Sequence, residues 1–213
     1  MVEDAILTGS RSRAREKREL RATLGARRQA FSASERMQAA EAVSNHLLYH
    51  PLFDIPGYVA GYWAMGGELP LHVLQMRLRA DQVWCLPCIQ PDKSLRFAPW
   101  RPGDLLESNR FGVPEPALTP DAQLLPADMA VILVPLLAFT RDGARLGMGG
   151  GFYDRSLGFP RRPGTPPHLV GVGYAAQEVP ALPTDPWDVA LDAVVTDTEL
   201  LLCRPAGRVT ILE

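Results

Sequence analysis

Three features of this sequence predict an α/β fold with a mainly parallel sheet. Strand-like apolar runs alternate with helical stretches along most of its length, the pattern of repeated β–α–β units. Residues 129–134 (MAVILV) form an unbroken apolar run rich in β-branched side chains, as in a strand buried on both faces. A glycine-rich loop at 145–155 (RLGMGGGFYDR) follows that strand and opens a short helix. Ligands of open α/β sheets bind just outside the carboxyl ends of strands, so this loop stands where a binding site is expected.

The elements follow in order. Residues 1–10 read as a flexible tail, and residues 11–213 as one domain. A helix is expected over 11–31, where there is no proline and Leu20 and Leu24 stand at i, i+4. Lys17, Arg21 and Arg28 share one face of it. That face fits a solvated basic surface, a phosphate-binding arm or a nucleic-acid contact, the last weakened by a neutral remainder. Ser32 with Glu35 three residues on makes a capping box that opens a second helix. This helix stops near Tyr49, ahead of Pro51. His46 and His50 lie at i, i+4 on it, but Leu47 occupies the place of the glutamate that the zinc-protease pattern requires. They read as ordinary histidines.

A strand is expected at 57–63, then a turn at 65–68 (MGGE) and a helix at 71–79. Strands follow at 82–86 and 94–100, and an extended loop at 110–116. The buried strand ends at Pro135; the loop beyond it leads to a helix bearing Tyr153, Asp154 and Leu157. Residues 160–167 contain four prolines and form a loop. Short strands are expected at 169–174, 193–196 and 209–212.

The chain has 213 residues, 46% hydrophobic and 22% charged, enough for a substantial core. Its net charge of −2 provides no general attraction to nucleic acid or to a membrane, and neither is expected as a partner. No apolar run approaches the roughly 18 residues that span a bilayer. Acids precede the short apolar piece at the start, which is not a signal-peptide layout, so the cytoplasm is the expected location. Cys85 and Cys88 match C-x-x-C, yet they sit at a strand end where positions i and i+3 face opposite ways. With no second pair to complete a zinc site, two buried thiols are expected.

The glycine loop itself fits no common label. No Lys-Ser or Lys-Thr follows Gly151, so it is not a Walker A loop, and its glycines miss the dinucleotide-binding spacing. Its chemistry is still coherent. Backbone N–H groups from Gly147 onward can line an anion, Arg145 can fork onto phosphate oxygens, and Asp154 can hold a magnesium ion that bridges phosphates. A tight turn with Asp154 as a helix-start carboxylate fits the same residues.

Several segments, in order, resemble the 5-formyltetrahydrofolate cyclo-ligase family, also called 5,10-methenyltetrahydrofolate synthetases. These are the K-x-x-L-R of Lys17 to Arg21, the turn from Trp63 to Glu68, and the G-V-P-E-P of Gly112 to Pro116. The long block from Val134 to Asp154 and the P-x-x-x-x-D-x-x-L-D of Pro183 to Asp192 complete the pattern. The resemblance covers Lys17 to about Asp197. It implies a three-layer α/β/α fold like that of ribose-5-phosphate isomerase and the CoA transferases. It implies ATP as cosubstrate, Mg2+ as cofactor and 5-formyltetrahydrofolate as substrate; separately, a monomer is expected. In the implied reaction the formyl oxygen attacks the γ-phosphate to give an iminium phosphate, and nitrogen 10 then closes the ring. By the same resemblance Lys17, Arg18, Glu19, Leu20 and Arg21 contact ATP. So do Arg145, Leu146, Gly147, Met148, Gly149, Gly150, Gly151, Phe152 and Tyr153. Trp63 and Glu68 touch the folate, with Glu68 suited to pterin N–H groups, and Gly149, Gly150, Gly151 and Phe152 border both ligands. Asp154 and Asp192 hold magnesium, and Arg145 and Asp154 are the catalytic pair. Met148, Phe152 and Trp63 depart from the usual family residues and bear on pocket shape. Two other readings are an isomerase or CoA transferase of the same fold that needs no nucleotide, and a non-catalytic folate- or RNA-binding relative.

Overall fold

A computed structural model describes residues 2–162 and 164–203, with side chains from Ser12 onward. The strand expected at 209–212 lies outside the described residues. In chain order the elements are α1 (Val2–Gln29), α2 (Ala33–Leu48), β1 (Gly57–Ala60), α3 (His72–Met76), β2 (Gln82–Ile89) and β3 (Leu95–Pro99). Then come β4 (Leu106–Ser108), β5 (Pro114–Pro116), β6 (Met129–Pro135), β7 (Ala138–Phe139) and β8 (Arg145–Leu146). The remainder is α4 (Phe152–Leu157), β9 (His168–Val172), β10 (Ala193–Val195) and β11 (Leu200–Leu202).

Seven strands form one sheet in the order β11-β10-β9-β6-β1-β2-β3. The five inner strands run parallel, and the edge strands β3 and β11 pair antiparallel with their neighbours. The fold is therefore α/β with a mainly parallel sheet. Strand β6 is buried from Met129 to Val134, as its continuous apolar sequence requires. Val131 and Leu133 pack on one face with Val43 and Leu47 of α2 and Val73 and Leu74 of α3. Ile132 and Val134 pack on the other with Leu157 of α4 and Phe97 of β3. Helices thus cover both faces, α2 and α3 on one side and the shorter α4 on the other. No helix among the described residues is long and apolar enough to cross a membrane.

The connections locate the site. From β1 the chain passes through α3 to β2 on one side; from β6 it passes through α4 to β9 on the other. Strands β1 and β6 are neighbours, so the strand order reverses between them, and the carboxyl ends of both open onto that crevice. The turn after β1 and the glycine loop after β6 face each other there.

Several expected boundaries shift. Helix α1 begins at Val2, so the stretch expected to be a tail forms its first turns. Its inward side chains, Lys17, Leu20, Arg21, Leu24 and Arg28, follow a helical stripe. The capping box at Ser32 and Glu35 is present, and α2 ends at the C-cap Tyr49. Strand β1 stops at Ala60 rather than residue 63, because beyond it the chain bends to build the site. Strand β2 instead runs through Pro87 to Ile89. Its partner β1 ends opposite Cys85, so proline's missing N–H leaves no ladder bond unmade on that side. The extended loop at 110–116 contributes β5 to a hairpin with β4. Strands β7 and β8 pair in a small hairpin within what the sequence suggests is loop. Strand β11 was not expected; it pairs with β10 after a turn held by Thr196.

Candidate active site

A cavity of about 430 Å3 occupies the crevice. Lys17, Arg21 and Arg28 of α1 all line it, so the basic face of that helix is turned inward rather than out to solvent. Leu20 and Leu24 on the same stripe pack on Ala138 and Leu146, which seats α1 against the β7–β8 hairpin.

The glycine loop forms the opposite wall. The Nε of Arg21 donates to the Gly147 carbonyl at 2.8 Å. Gly149 has φ of +96° and its backbone lies against the Arg21 guanidinium, which a Cβ would approach to 3.3 Å. A side chain there meets both strain and crowding. Gly151, also left-handed, caps α4, and Phe152, Tyr153 and Asp154 of that helix line the cavity.

Arg145 and Asp154 are bonded to one another. The Arg145 side chain is only 5% exposed; Nη2 donates to Asp154 Oδ1 at 2.5 Å and Nη1 to the Val189 carbonyl. The Val189 N–H also donates to Oδ1. Oδ2 has no hydrogen-bond partner among the described residues, and the carboxylate is 31% exposed at the cavity.

Lys17 reaches two carboxylates, Asp185 at 2.8 Å and Asp188 at 2.7 Å, and Arg13 also binds Asp185. Burial works against the ammonium, but the hydrogen bonds it donates to the two aspartates prevail and hold its pKa above the ordinary value. Glu68 lies across the cavity. Burial raises its pKa, while the Met65 N–H and the nearby Arg28 guanidinium act in the opposite sense. The Tyr153 hydroxyl is pushed upward by burial and by the Glu68 charge, which keeps it a neutral donor. Apolar rings crowd the rim: Trp63 stands edge-on to Trp100 at 6.0 Å, and Phe111 edge-on to Phe152 at 5.7 Å.

Thirteen of the residues expected from the sequence therefore meet at one cavity: Lys17, Arg21, Trp63, Glu68, Arg145, Gly147, Met148, Gly149, Gly150, Gly151, Phe152, Tyr153 and Asp154. Four expected ATP contacts do not line it. Arg18 and Glu19 are exposed, with Glu19 paired to Arg15, while Leu20 and Leu146 face the packing cluster under α1. Asp192 does not line it either. It accepts from Arg161 at 2.7 Å and from the Leu169 N–H at 2.8 Å, tying β9 to the approach of β10. The cavity wall instead holds Asp188, the first aspartate of the very motif that ends at Asp192. Asp185, Asn109, Phe111, Glu115 and Trp187 also line the cavity without having been singled out as site residues. Glu115 was within reach through the G-V-P-E-P segment; the others carry no spacing signal.

His46 and His50 each bond to backbone, at Thr196 and Leu52. Among the described residues no cluster of three or more His, Cys, Asp or Glu side chains is placed to hold a metal. Cys85 and Cys88 are buried free thiols.

A doubly covered, mainly parallel sheet with an aromatic-rimmed cavity at its reversal point, lined by charged groups of both signs, defines an α/β protein of small-molecule chemistry. A model of the 5-formyltetrahydrofolate cyclo-ligase family matches residues 13–197, and the chain belongs to that family. It is 33% identical over 177 residues to the 5-formyltetrahydrofolate cyclo-ligase of Escherichia coli K12, covering 82% of this chain and 96% of that one. The Haemophilus influenzae cyclo-ligase is 33% identical over 165 residues, 76% of this chain and 87% of its own. The solution structure of Aquifex aeolicus 5,10-methenyltetrahydrofolate synthetase superposes with a TM-score of 0.76 at 31% identity, covering 92% of this chain and 96% of that one.

Proposed function

We propose that this chain converts 5-formyltetrahydrofolate to 5,10-methenyltetrahydrofolate at the expense of ATP. The observation that carries the proposal is the meeting of Lys17 and Arg21 with the 145–154 segment across one cavity, with Glu68 and Trp63 on its remaining wall. The first group suits a polyphosphate, through cations and backbone donors. The second suits a flat heterocycle with N–H donors. Membership of the family supports the same reading.

In the proposed reaction the formyl oxygen bonds to the γ-phosphorus as the bridging oxygen leaves with ADP. Nitrogen 10 then adds to the activated carbon and loses its proton, and the C–O bond breaks to release phosphate. The substrate supplies both nucleophiles, so the protein's work is positioning and charge neutralisation. Among the described residues no Ser, Thr, Cys or His lines the cavity, in keeping with that division. Lys17 is held beside the cavity by Asp185 and Asp188, and a triphosphate competes with them for it. Arg145 fixes Asp154 while Nε and the remaining N–H groups stay available to phosphate.

Magnesium in such sites takes one or two carboxylates plus phosphate oxygens and water. The unpartnered Oδ2 of Asp154 fits that demand, and Asp154 is the residue assigned to hold it. An ion held there would supply neutralisation of phosphate charge. Asp192 does not line the cavity and is assigned no part here. We take the chain to act as a monomer on small molecules, without nucleic acid. The test is turnover of 5-formyltetrahydrofolate with ATP and Mg2+, each omitted in turn; turnover without nucleotide favours the isomerase or transferase chemistry instead.

A further inference from the structure

The first helix carries a buried cation that the reaction above does not use. Arg28 is 3% exposed, and Glu68 is its one carboxylate partner among the described residues, at 3.5 Å. The rest of its fork reaches three separate parts of the cavity wall. Nε donates to the Gly66 carbonyl at 3.2 Å, Nη1 to the Leu136 carbonyl at 3.4 Å, and Nη2 lies 3.7 Å from the Met148 sulfur. The turn before Glu68 is fitted to the same residue. Gly66 and Gly67 both have positive φ, and a Cβ on Gly67 would come within 2.9 Å of the Arg28 carbonyl oxygen. The turn after β1, the end of β6 and the glycine loop therefore converge on one guanidinium.

We infer that Arg28 is a positioning residue: it sets the place and the charge of Glu68 in the cavity and ties that turn to the glycine loop. The inference rests on the proposed role of Glu68 toward the substrate. A buried cation without bonding partners is costly, and so are carbonyls left unbonded, so the arrangement is held only while all the pieces are in register. A lysine keeps the charge but offers no planar fork to bridge two carbonyls and a carboxylate.

The groups around Glu68 are few. Arg28 faces it from α1, Tyr62 from the segment after β1 and Tyr153 from α4, with Arg145 behind Tyr153. Of the cations, Arg28 is the one that favours the Glu68 carboxylate against burial. Replacing it with a neutral residue moves the Glu68 titration to higher pH, and the binding that uses the carboxylate is then lost at a higher pH on acidification.

The test compares wild type with Arg28→Met and Arg28→Lys. Arg28→Met is expected to raise the KM for 5-formyltetrahydrofolate about tenfold, the scale of losing buried hydrogen bonds to a charged group, with the KM for ATP within about twofold. The acid limb of kcat/KM shifts upward in the same variant. Arg28→Lys returns the acid limb toward the wild-type position while the folate KM stays raised. A second measurement needs no substrate: carboxyl carbon-13 titration of Glu68 gives a higher midpoint in Arg28→Met than in wild type. Unchanged folate KM and acid limb in a folded Arg28→Met, or an unchanged Glu68 titration, overturns the inference. Absence of turnover by wild type overturns the proposed function alone, because the Glu68 titration still decides on Arg28.

Discussion

Arg145 and Asp154 show how far single residues were legible. Their types suggest a phosphate fork and a metal carboxylate, and both line the cavity, but the structure bonds them to each other first. Arg145 thus holds Asp154 and, in the proposed reaction, also meets phosphate. Arg145→Ala and Asp154→Ala are each expected to lower kcat by a factor on the order of 10²–10³, the usual scale for lost transition-state charge stabilisation; rates near wild type in folded variants remove both assignments. Lys17→Ala is expected to raise the KM for ATP with a smaller effect on that for folate, and an unchanged ATP KM returns Lys17 to a structural tie between α1 and the Asp185 loop. At the thiols, burial pushes Cys85, Cys88 and Cys203 up to about 12. The reactive thiolate is therefore scarce at neutral pH. Slow labelling of the native protein by a thiol reagent, made fast by denaturant, checks this; rapid native labelling reopens a redox role for the C-x-x-C pair.

The elements were legible where local chemistry decided them. Ser32 and Glu35 announced the start of α2, and the β-branched run of β6 announced a strand buried on both faces. Leu133 sits in that strand with no exposure. Leu133→Ala is expected to cost about 2–5 kcal/mol of stability in urea unfolding, the range for emptying a packed core site; a loss below about 1 kcal/mol contradicts the two-sided packing of β6. Elements decided by tertiary partners were not legible. Strands β7 and β8 are two residues each and exist because the loop folds back under α1. Strand β11 (LLL) carries no alternation and depends on β10 for its pairing. Nor does any periodicity show that the basic stripe of α1 turns inward: the direction of a helix face depends on what packs against it, here the β7–β8 hairpin and the glycine loop.

At the scale of the whole molecule, the site follows from topology. The reversal of strand order between β1 and β6 brings the turn after one against the loop after the other. Helix α1 closes the crevice through Arg21, which lies 126 residues from its partner Gly147 in sequence. The sequence could place both loops at carboxyl ends of strands, but the adjacency of β1 and β6 exists only in the assembled sheet. Asp192 stands off the cavity while Asp185 and Asp188 of the same segment lie on its wall, a difference that exists only in the assembled chain. In the proposed reaction this cavity brings ATP and 5-formyltetrahydrofolate together for ring closure. The most direct test follows the near-ultraviolet absorbance of the methenyl product while the purified chain is mixed with 5-formyltetrahydrofolate, ATP and Mg2+. A rise that requires all three and matches ADP formed one for one is expected; no rise at high enzyme concentration, with the protein folded, rules the proposed reaction out.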